Sequence, residues 1–254
     1  MGLSRLEFVN SLIQKKGEAK LSELEAMMPD VSSMTLRRDL AILEDRGDII
    51  RIRGGARSIA SLSERFLKEE AYYRRAVEHN DAKTLIASKA VHLIEHARSL
   101  FVDSGTTTMS FVKALPEQSF SILTSAPNIG LELIKKPNTT VTLIGGQLNK
   151  DNLSVSGTNS LDFIKNLNID IAFMATSGFS LDSGFTSGKF NECELKKYVV
   201  KKSSKVIMLM DNSKLNQNML FSFAFLKDID VLVTDQQLPE NIIKAATKMK
   251  VLII

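Results

Sequence analysis

A ten-residue segment, residues 31–40 (VSSMTLRRDL), constrains the fold of this chain more than any other. It begins with Ser32, a short polar residue of the kind favoured at a helix N-cap. Leu36, Leu40 and Leu43 then recur at the i, i+4 and i+7 spacing of one helical face, which must pack against a core. The opposite face carries hydroxyl and guanidinium groups, so the sequence predicts a helix with an exposed cationic surface.

Two shorter helices are predicted before this one. Ser4 and Glu7 have the spacing of a capping box, and Gly17 stands where the helix that they open would end. Ser22 and Glu25 form a second capping box, which predicts that another helix begins after Ser22. Two short helices, a turn and a third helix are the elements of a helix-turn-helix.

After residue 47 the apolar pattern changes from a helical period to alternation. In residues 50–53 (IRIR), Ile50 and Ile52 are predicted to lie on one face of a strand and the two arginines on the other. Gly54 and Gly55 follow, and glycine tolerates the positive φ of a tight turn. The sequence therefore predicts a β-hairpin, or wing, after the helix-turn-helix.

Arginine is the dominant cation of this region. Six arginines and no lysine fall within residues 37–57. Adjacent charges on a helix usually form only a solvated face, so Arg37 and Arg38 alone do not define a function. In register with the helix caps and the wing, these hydroxyls and guanidiniums suit the groove of a DNA duplex.

Residues 31–40 and the later sequence RIRGGA, residues 51–56, resemble the winged helix-turn-helix of the DeoR family of bacterial transcriptional regulators. The family pattern is V-S-x-x-T-[I/V]-R-R-D-L followed by a wing that ends in G-G-A, and Leu36 replaces the usual isoleucine or valine. The resemblance implies a double-stranded DNA operator as a partner. The residues expected to contact it are Ser32, Ser33, Thr35, Arg37, Arg38, Arg51, Arg53, Gly54, Gly55 and Arg57.

Composition limits the class of protein. The 254 residues, 44% of them apolar, can form one large domain or two modest ones, and the net charge of +4 is compatible with a polyanionic partner. The single cysteine, Cys193, permits no internal disulfide and fits a reducing cytoplasm. No apolar run approaches the roughly 18 residues of a transmembrane helix. We therefore expect a cytoplasmic protein with no membrane partner.

Three segments are predicted: a winged helix-turn-helix domain over residues 1–57, a partly helical linker over 58–80, and a larger domain over 81–254. In the larger segment, short β-rich runs alternate with helical stretches, which predicts an α/β domain with a mainly parallel sheet. The predicted strands cover residues 100–103, 121–124, 141–144, 169–175, 206–210 and 231–234, with a short edge strand at 251–254. The predicted helices cover residues 83–96, 109–115, 129–135, 161–167, 194–201 and 240–249.

Small, hydroxyl and charged residues follow several of these strands. The longest such turn, residues 103–108 (DSGTTT), offers backbone N–H groups, hydroxyls and a helix N-terminus, which together suit a phosphate. Lys214, after another strand, adds a cation. Because the carboxyl ends of parallel strands lie at one edge of a sheet, the turns are predicted to gather there. Any one of them alone is more commonly just a turn and a helix cap.

The order of these turns resembles the effector domain of the DeoR family, which is similar in fold to ribose-5-phosphate isomerase. The matching elements are D-x-G-T-T at residues 103–107, G-G at 145–146, N-E-x-E-x-K at 191–196 and D-x-S-K at 211–214, while Leu215 and Asn216 replace the family's usual Phe-Gly. The resemblance implies a sugar-phosphate effector. The residues expected to contact it are Lys83, Asp103, Ser104, Gly105, Thr106, Thr107, Thr108, Ser125, Gly145, Gly146, Ser177, Glu192, Glu194, Lys196, Asp211, Ser213 and Lys214.

The resemblance also implies roles within this set. Residues 105–108 would cradle the phosphate, Asp211 and Lys214 would hold hydroxyls or the charged end of the ligand, and the charged residues of 191–196 would form the opposing wall. The two glutamates of 191–196 are explained equally well as acidic residues in a first helical turn, where they complement the helix dipole. A connector arginine of the family corresponds to Arg74 or Arg75.

The isomerase likeness raises the alternative that the domain turns over a sugar phosphate. Enediol chemistry needs a carboxylate base, and residues 174–178 (MATSG), where the isomerase has an aspartate-rich turn, contain none. A zinc-peptidase pattern, H-x-x-E-H at residues 92–96, is expected to be a chance match on a helix flank. Cys193 has no histidine partner in a recognisable motif, so packing is its expected role. We therefore predict no enzyme activity, no metal and no cofactor.

Together these features predict a DNA-binding transcriptional regulator, a repressor of a sugar or polyol metabolism operon, whose operator affinity depends on a phosphorylated sugar. A single recognition module has too small a footprint for useful selectivity. We therefore expect a homo-oligomer, at least a dimer on repeated half-sites.

Overall fold

The computed structural model describes residues 5–46, 48–52, 54–58, 72–94 and 99–254. The chain divides into two compact units, Met1–Lys68 and Glu69–Ile254. Several predicted features lie outside the described residues. These are Ser4 of the first capping box, Gly47, Arg53 of the wing, residues 59–71 of the linker, and residues 95–96 of the H-x-x-E-H pattern.

In its described residues, the first unit consists of three helices and a small antiparallel sheet. The helices are α1 (Arg5–Lys16), α2 (Leu21–Met27) and α3 (Ser33–Asp45). The strands are β1 (Glu18–Lys20), β2 (Ile49–Ile52) and β3 (Gly55–Ser58), and β3 lies between the other two. One apolar core joins the helices to the sheet, as a winged helix-turn-helix requires.

The predicted recognition helix is α3, and its cap and its apolar face are confirmed. The N–H of Thr35 donates to the hydroxyl oxygen of Ser32 over 3.2 Å, which satisfies one of the donors that a helix start leaves without a partner. Leu36, Leu40 and Leu43 are at most 3% exposed and lie in the core of the first unit.

The second predicted capping box is wrong. Helix α2 has Lys20 rather than Ser22 at its N-cap, and the N–H of Lys20 donates to the Glu23 carboxylate over 3.0 Å. Glu25 instead accepts a hydrogen bond of 2.5 Å from the Ser33 hydroxyl. The reason is that Lys20 ends strand β1, so the backbone is already extended there and the helix begins as soon as the strand stops.

A hairpin of β2 and β3 follows α3, as predicted, and the isoleucine that it turns toward the core is Ile49, just before the predicted alternating run. Ile49 is fully buried, whereas Ile52 is 40% exposed. The antiparallel register pairs Ile49 with Ser58, and this pairing turns Ile49 rather than Ile52 toward the core. The side chain of Ile50 lies outside the described part of the chain.

The two glycines of the hairpin have different roles. Gly54 has a φ of +85° and makes the turn. A Cβ on Gly55 would lie 2.3 Å from the main-chain oxygen of Ala19, so Gly55 permits the close approach of β1 to β3. Strand β1 was not predicted, because three residues are too few to show alternation.

The second unit has three layers, with helices on both faces of a seven-stranded parallel sheet. The sheet strands are β4 (Ser99–Val102), β5 (Phe120–Thr124), β6 (Thr139–Leu143), β9 (Ile169–Ala175), β12 (Ser203–Leu209), β14 (Val231–Val233) and β15 (Leu252–Ile253). The helices are α4 (Tyr72–Val77), α5 (Asn80–Ala90), α6 (Thr106–Ala114), α7 (Pro127–Leu133), α8 (Thr158–Lys165), α9 (Phe190–Lys202) and α10 (Glu240–Lys248). The predicted α/β class with a mainly parallel sheet is confirmed.

The strand order places a crevice in the middle of the sheet. The order is β15-β14-β12-β9-β4-β5-β6, so the chain runs from β4 to one edge and, starting again at β9, to the other edge. The connections after β4 and β9 therefore leave the sheet on opposite sides and open a gap at the carboxyl ends of these two strands. Any site formed by the predicted turns has to lie in this gap.

The two faces of the sheet have separate apolar cores. Leu100 and Val102 of β4 pack with α5, α6 and α7, whereas Phe101 points the other way and packs with α8, α9 and α10. The rings of Phe111 and Phe173 stack with centroids 4.0 Å apart and join α6 to β9. Helix α6 is thereby held firmly against the carboxyl end of the sheet.

Short strands and helix ends account for the differences from prediction in this unit. Helix α6 begins at Thr106 and α9 at Phe190, in both cases earlier than predicted, and the predicted helix 83–96 is α5 followed by a 3₁₀ turn, Val91–Leu93. Five short strands were not predicted: β7 (Gln147–Asn149), β8 (Ser154–Ser156), β10 (Gly178–Ser180), β11 (Gly184–Ser187) and β13 (Phe221–Ala224).

No helix in the described part of the chain has both the length and the apolarity to cross a bilayer.

Candidate functional site

The exposed face of α3 presents two arginines. Arg37 and Arg38 are exposed, and within the described residues neither side chain makes an ion pair or a hydrogen bond. The hydroxyls of Ser32 and Thr35 lie 2.9 Å apart at the start of the same helix. The first turns of α3 therefore offer hydroxyls and two available guanidiniums to a partner.

The wing arginines are in a different situation. Arg51 lies 2.5 Å from the Glu44 carboxylate, and Arg57 lies 2.6 Å from that of Glu18. Hydrogen bonds from the main-chain N–H and side chain of Arg51 lower the pKa of Glu44, which keeps its carboxylate charged. An anion that binds these arginines must therefore compete with carboxylates, unlike one that binds Arg37 or Arg38.

The second unit contains a cleft at the gap between β4 and β9, with about 460 Å³ of empty space that is partly open to solvent. Its walls come from α4, the start of α5, the turns after β4, β9 and β12, the β7–β8 loop and α9. The lining residues are Arg75, Glu78, His79, Lys83, Ser104, Gly105, Thr106, Thr107, Asn152, Ala175, Thr176, Ser177, Glu192, Lys196 and Lys214.

The N-terminus of α6 forms one wall of this cleft. Gly105 stands at its N-cap with a φ of +151°, and Thr106 and Thr107 begin the helix. The N–H groups of a first helical turn have no carbonyl partner within the helix, and the helix dipole makes this end positive. Thr108 is fully buried, and its hydroxyl donates to the Gly105 carbonyl over 3.1 Å, which shapes the turn. This wall suits an anion.

A buried ion network forms the floor. The Lys196 ammonium lies 2.9 Å from Asp103, 3.1 Å from Glu192 and 2.9 Å from the carbonyl oxygen of Ala175, and the side-chain amide of Asn152 donates to Glu192. Burial raises the pKa of Asp103, and the Lys196 charge acts against this shift. Since these bonds use the three donors of an ammonium, Lys196 chiefly positions the two carboxylates.

Lys83 joins the cleft to helix α4. Its buried ammonium donates to the carbonyl oxygens of Arg75 and Glu78, at the C-terminal end of that helix. Burial lowers the pKa of Lys83, and the nearby positive charges of Lys214 and Arg75 lower it further, against the charge of Asp211. Cations and carboxylates, Asp211 and Glu78 among them, therefore lie together around the Lys83 ammonium.

Nine of the residues expected to contact the effector line the cleft: Lys83, Ser104, Gly105, Thr106, Thr107, Ser177, Glu192, Lys196 and Lys214. The other eight do not line it: Asp103, Thr108, Ser125, Gly145, Gly146, Glu194, Asp211 and Ser213. Most of the eight instead fix the conformation of the neighbouring main chain. The carbonyl of Ser125 accepts from Val155, for example, and the Asp211 carboxylate accepts from the Ser213 N–H.

Sequence reasoning missed part of the lining. The sequence offers Arg74 and Arg75 equally as the connector arginine. Arg75 faces the cleft, whereas Arg74 is exposed and pairs with Glu78 over 3.2 Å. His79 and Asn152 were not anticipated. His79 has a φ of +51°, an uncommon conformation for a residue with a side chain, and Asn152 lies in a loop with no local signal.

Other chemistry receives little support from the described residues. His92 of the H-x-x-E-H pattern is exposed, and no group of three or more His, Cys, Asp or Glu in the described part of the chain is arranged to hold a metal ion. Cys193 is buried, its thiol donates to the carbonyl of Ser222 over 3.1 Å, and burial raises its pKa to about 11. A buried protonated thiol is a packing residue rather than a nucleophile.

Comparisons with known proteins cover both units. Residues 5–62 match the sequence profile of the DeoR-like helix-turn-helix domain, and residues 78–236 match that of the DeoR C terminal sensor domain. The chain is 34% identical to the HTH-type transcriptional regulator GlpR of Haloferax volcanii, over 80% of this chain and 78% of that protein. It is 27% identical to the glycerol-3-phosphate regulon repressor of Escherichia coli K12, over 93% of this chain and 92% of that protein.

Among solved structures, ribose 5-phosphate isomerase A from Methanocaldococcus jannaschii is similar to 55% of this chain, over 56% of its own length. The TM-score is 0.41 and the sequence identity is 16%.

Proposed function

Because the chain belongs to the DeoR family of transcriptional regulators, we propose that it represses a sugar or polyol metabolism operon and that a phosphorylated sugar or polyol in the cleft changes its operator affinity. Its place of action would be the cytoplasm, where operator DNA is found. The glycerol-3-phosphate regulon repressor is named for a phosphorylated polyol, which supports this class of effector.

The observation that carries the proposed effector is the combination of charges in the cleft. The helix N-terminus at Thr106 and Thr107 lies in the same cleft as Lys83 and Lys214. Backbone N–H groups and ammonium groups together bind phosphate strongly, since both supply donors and positive potential. The carboxylate of Glu192, on the wall formed by α9, is suited to accept hydrogen bonds from the hydroxyls of a sugar or polyol.

For the DNA half, we propose that the first turns of α3 enter the major groove. Arg37 and Arg38 would contact base edges and phosphates, with Ser32, Ser33 and Thr35 beside them, and the wing would follow the backbone. The support is that both α3 arginines are exposed without an ion pair among the described residues. A homo-oligomer on repeated half-sites would supply the footprint that one module lacks.

We further propose that the cleft binds its ligand without turnover. Among the described residues, the carboxylates that line it are Glu78, which pairs with Arg74, and Glu192, which is held by Lys196 and Asn152. A carboxylate that is paired in this way is a weak base. The relatives described above are regulators, which supports a sensor rather than an enzyme.

The test begins with ligand and operator. Thermal-shift measurements against a panel of phosphorylated sugars and polyols identify the effector, because selective binding to the folded state raises the melting temperature. Operator sequences are selected from a pool of random duplexes, and their affinity is measured with and without the effector. We expect a change of about 5- to 150-fold, the usual size of such coupling.

A matched pair of variants tests the cleft. Lys214→Met should weaken effector binding, whereas Lys227→Met, which removes an exposed lysine outside the cleft, should not. If no phosphorylated compound of the panel binds the unaltered protein, the proposed effector class is wrong. If the purified protein converts a sugar phosphate at ordinary enzyme rates, the proposal of a sensor without turnover is wrong.

A further inference from the structure

We propose that Lys83 is a positioning residue that couples the cleft to helix α4, so that an anion in the cleft tightens the segment through which the second unit is joined to the DNA-binding unit. This inference rests on the proposed function, because it takes the cleft as an anion site. It adds to that function a route by which occupancy of the cleft changes the chain outside the cleft.

The contacts of Lys83 support this role. Its side chain is 3% exposed, its ammonium donates to the carbonyl oxygens of Arg75 and Glu78, and the same residue lines the cleft. Two N–H groups of the ammonium are used in these bonds, which leaves a third for a ligand. An anion beside the ammonium favours its charged form and strengthens the bonds that it donates.

The start of helix α4 is attached to the body of the second unit through Tyr72. The N–H of Tyr72 donates to the carbonyl of Asp151 over 2.6 Å, and the Tyr72 side chain is buried, whereas Tyr73 and Val77 are each 73% exposed. Asp151 is next to Asn152, which donates to Glu192 on the wall of the cleft. Both ends of α4 are therefore attached to residues at the cleft, one through the β7–β8 loop and the other through Lys83.

The position of α4 in the chain indicates that the coupling leads from the cleft toward the DNA-binding unit. It is the first described element after strand β3 of the DNA-binding unit, and residues 75, 78 and 79, at and just after its end, line the cleft. Lys214 also lines the cleft but donates no described hydrogen bond to α4, so it contributes charge without this connection.

Hydrogen exchange of the full chain, measured by mass spectrometry with inorganic phosphate as the probe and chloride at equal ionic strength as the control, tests the proposal. In the unaltered protein, phosphate should slow exchange in α4 by about fivefold, the low end of typical coupling, and should also slow the first turn of α6. In Lys83→Met, α4 should exchange faster without phosphate and should no longer respond to it. In Lys214→Met, a higher phosphate concentration should be needed to slow exchange in α4, but saturating phosphate should slow it as much as in the unaltered protein.

A second variant keeps the test sound if Lys83→Met does not fold. Lys83→Gln replaces the ammonium with an uncharged amide donor that is one atom shorter, so α4 should exchange no faster than in Lys83→Met and should not respond to phosphate. Protection of α4 by phosphate in either Lys83 variant, equal to that in the unaltered protein, overturns the coupling. If phosphate slows hydrogen exchange in α6 but not in α4 of the unaltered protein, the coupling is wrong and the anion site stands. If phosphate slows exchange in neither helix, the anion site is wrong as well.

Discussion

The ammonium of Lys196 lies 2.9 Å from the carboxylate of Asp103, and both side chains are at most 4% exposed. Asp103 also accepts the N–H groups of Ser104 and Ala175 over 2.8 and 3.0 Å. One carboxylate thus holds together the ends of β4 and β9 and the side of α9. The cleft owes its shape to this buried pair, although Asp103 itself does not line it.

Replacing Asp103 should therefore destabilise the second unit. Asp103→Asn leaves the Lys196 charge with Glu192 as its remaining carboxylate, and removing one partner of a buried pair costs about 3 kcal/mol. The free energy of unfolding, measured in urea, should fall by about this amount. Asp162→Asn, which breaks an exposed pair with Lys165, is the control and should change little. Equal stability of the two variants would show that the buried pair does not support the fold.

Gly105→Ala should damage the proposed anion site. The φ of +151° is unfavourable for alanine, and the added Cβ would lie 3.1 Å from the Cβ of Ala175 and 3.2 Å from the Thr108 hydroxyl. We expect a loss of about 1–3 kcal/mol in stability together with weaker phosphate binding, measured by urea unfolding and calorimetry. Gly130→Ala, where the new Cβ meets only ordinary contacts at 3.9 Å, should leave phosphate binding unchanged. Normal phosphate affinity in Gly105→Ala would contradict the role given to this turn.

Arg38→Ala should weaken operator binding more than Arg51→Ala. Arg38 is available to the duplex, and its loss should cost about 1–3 kcal/mol, whereas Arg51 must first leave Glu44. For the same reason, Glu44→Gln should strengthen operator binding by releasing Arg51. Binding isotherms over a range of salt concentrations test both, and if Arg51→Ala has the larger effect, the wing rather than α3 dominates recognition.

Substitutions of Ser32 separate helix stability from DNA contact. Ser32→Ala removes the bond to the Thr35 N–H and should cost about 1 kcal/mol of stability. Ser32→Asp retains a capping oxygen and should keep the stability, but its negative charge would face the duplex and weaken operator binding. Thermal melts and binding isotherms of the two variants measure these effects, and an Asp variant that binds the operator normally would place Ser32 away from the DNA.

Cys193 should react slowly with iodoacetamide in the folded protein. With a pKa of about 11, only about one thiol in a thousand is ionised at pH 8, and the side chain is 1% exposed. Because the thiolate is the reactive form, the rate should rise with pH until the pKa is reached. Mass spectrometry of the folded and urea-unfolded chain measures this difference, and equal rates in the two states would contradict the burial of Cys193.

Local signals predicted local structure well. The Ser32 cap and the leucine face of α3 depend on residues within a few positions of one another, and the turn at Gly105 depends on glycine followed by hydroxyl residues. The same kind of reasoning failed at Ser22, because the end of β1 decided where α2 begins. Nor did it indicate that Ile49 is the buried isoleucine, because the pairing of β2 with β3 decided which face turns toward the core.

The amino-acid sequence by itself determined the helix-turn-helix, the alternation of strands and helices, and the run of glycine and hydroxyl residues after β4, because periodicity, capping and turn chemistry act over a few residues. Only the tertiary structure decided that Asp103 supports Lys196 rather than lining the cleft, and that Arg75 and Asn152 lie at the cleft while Glu194 does not. These outcomes depend on strand order and on pairs of charges far apart in the chain. Such pairs become neighbours only after the core has packed.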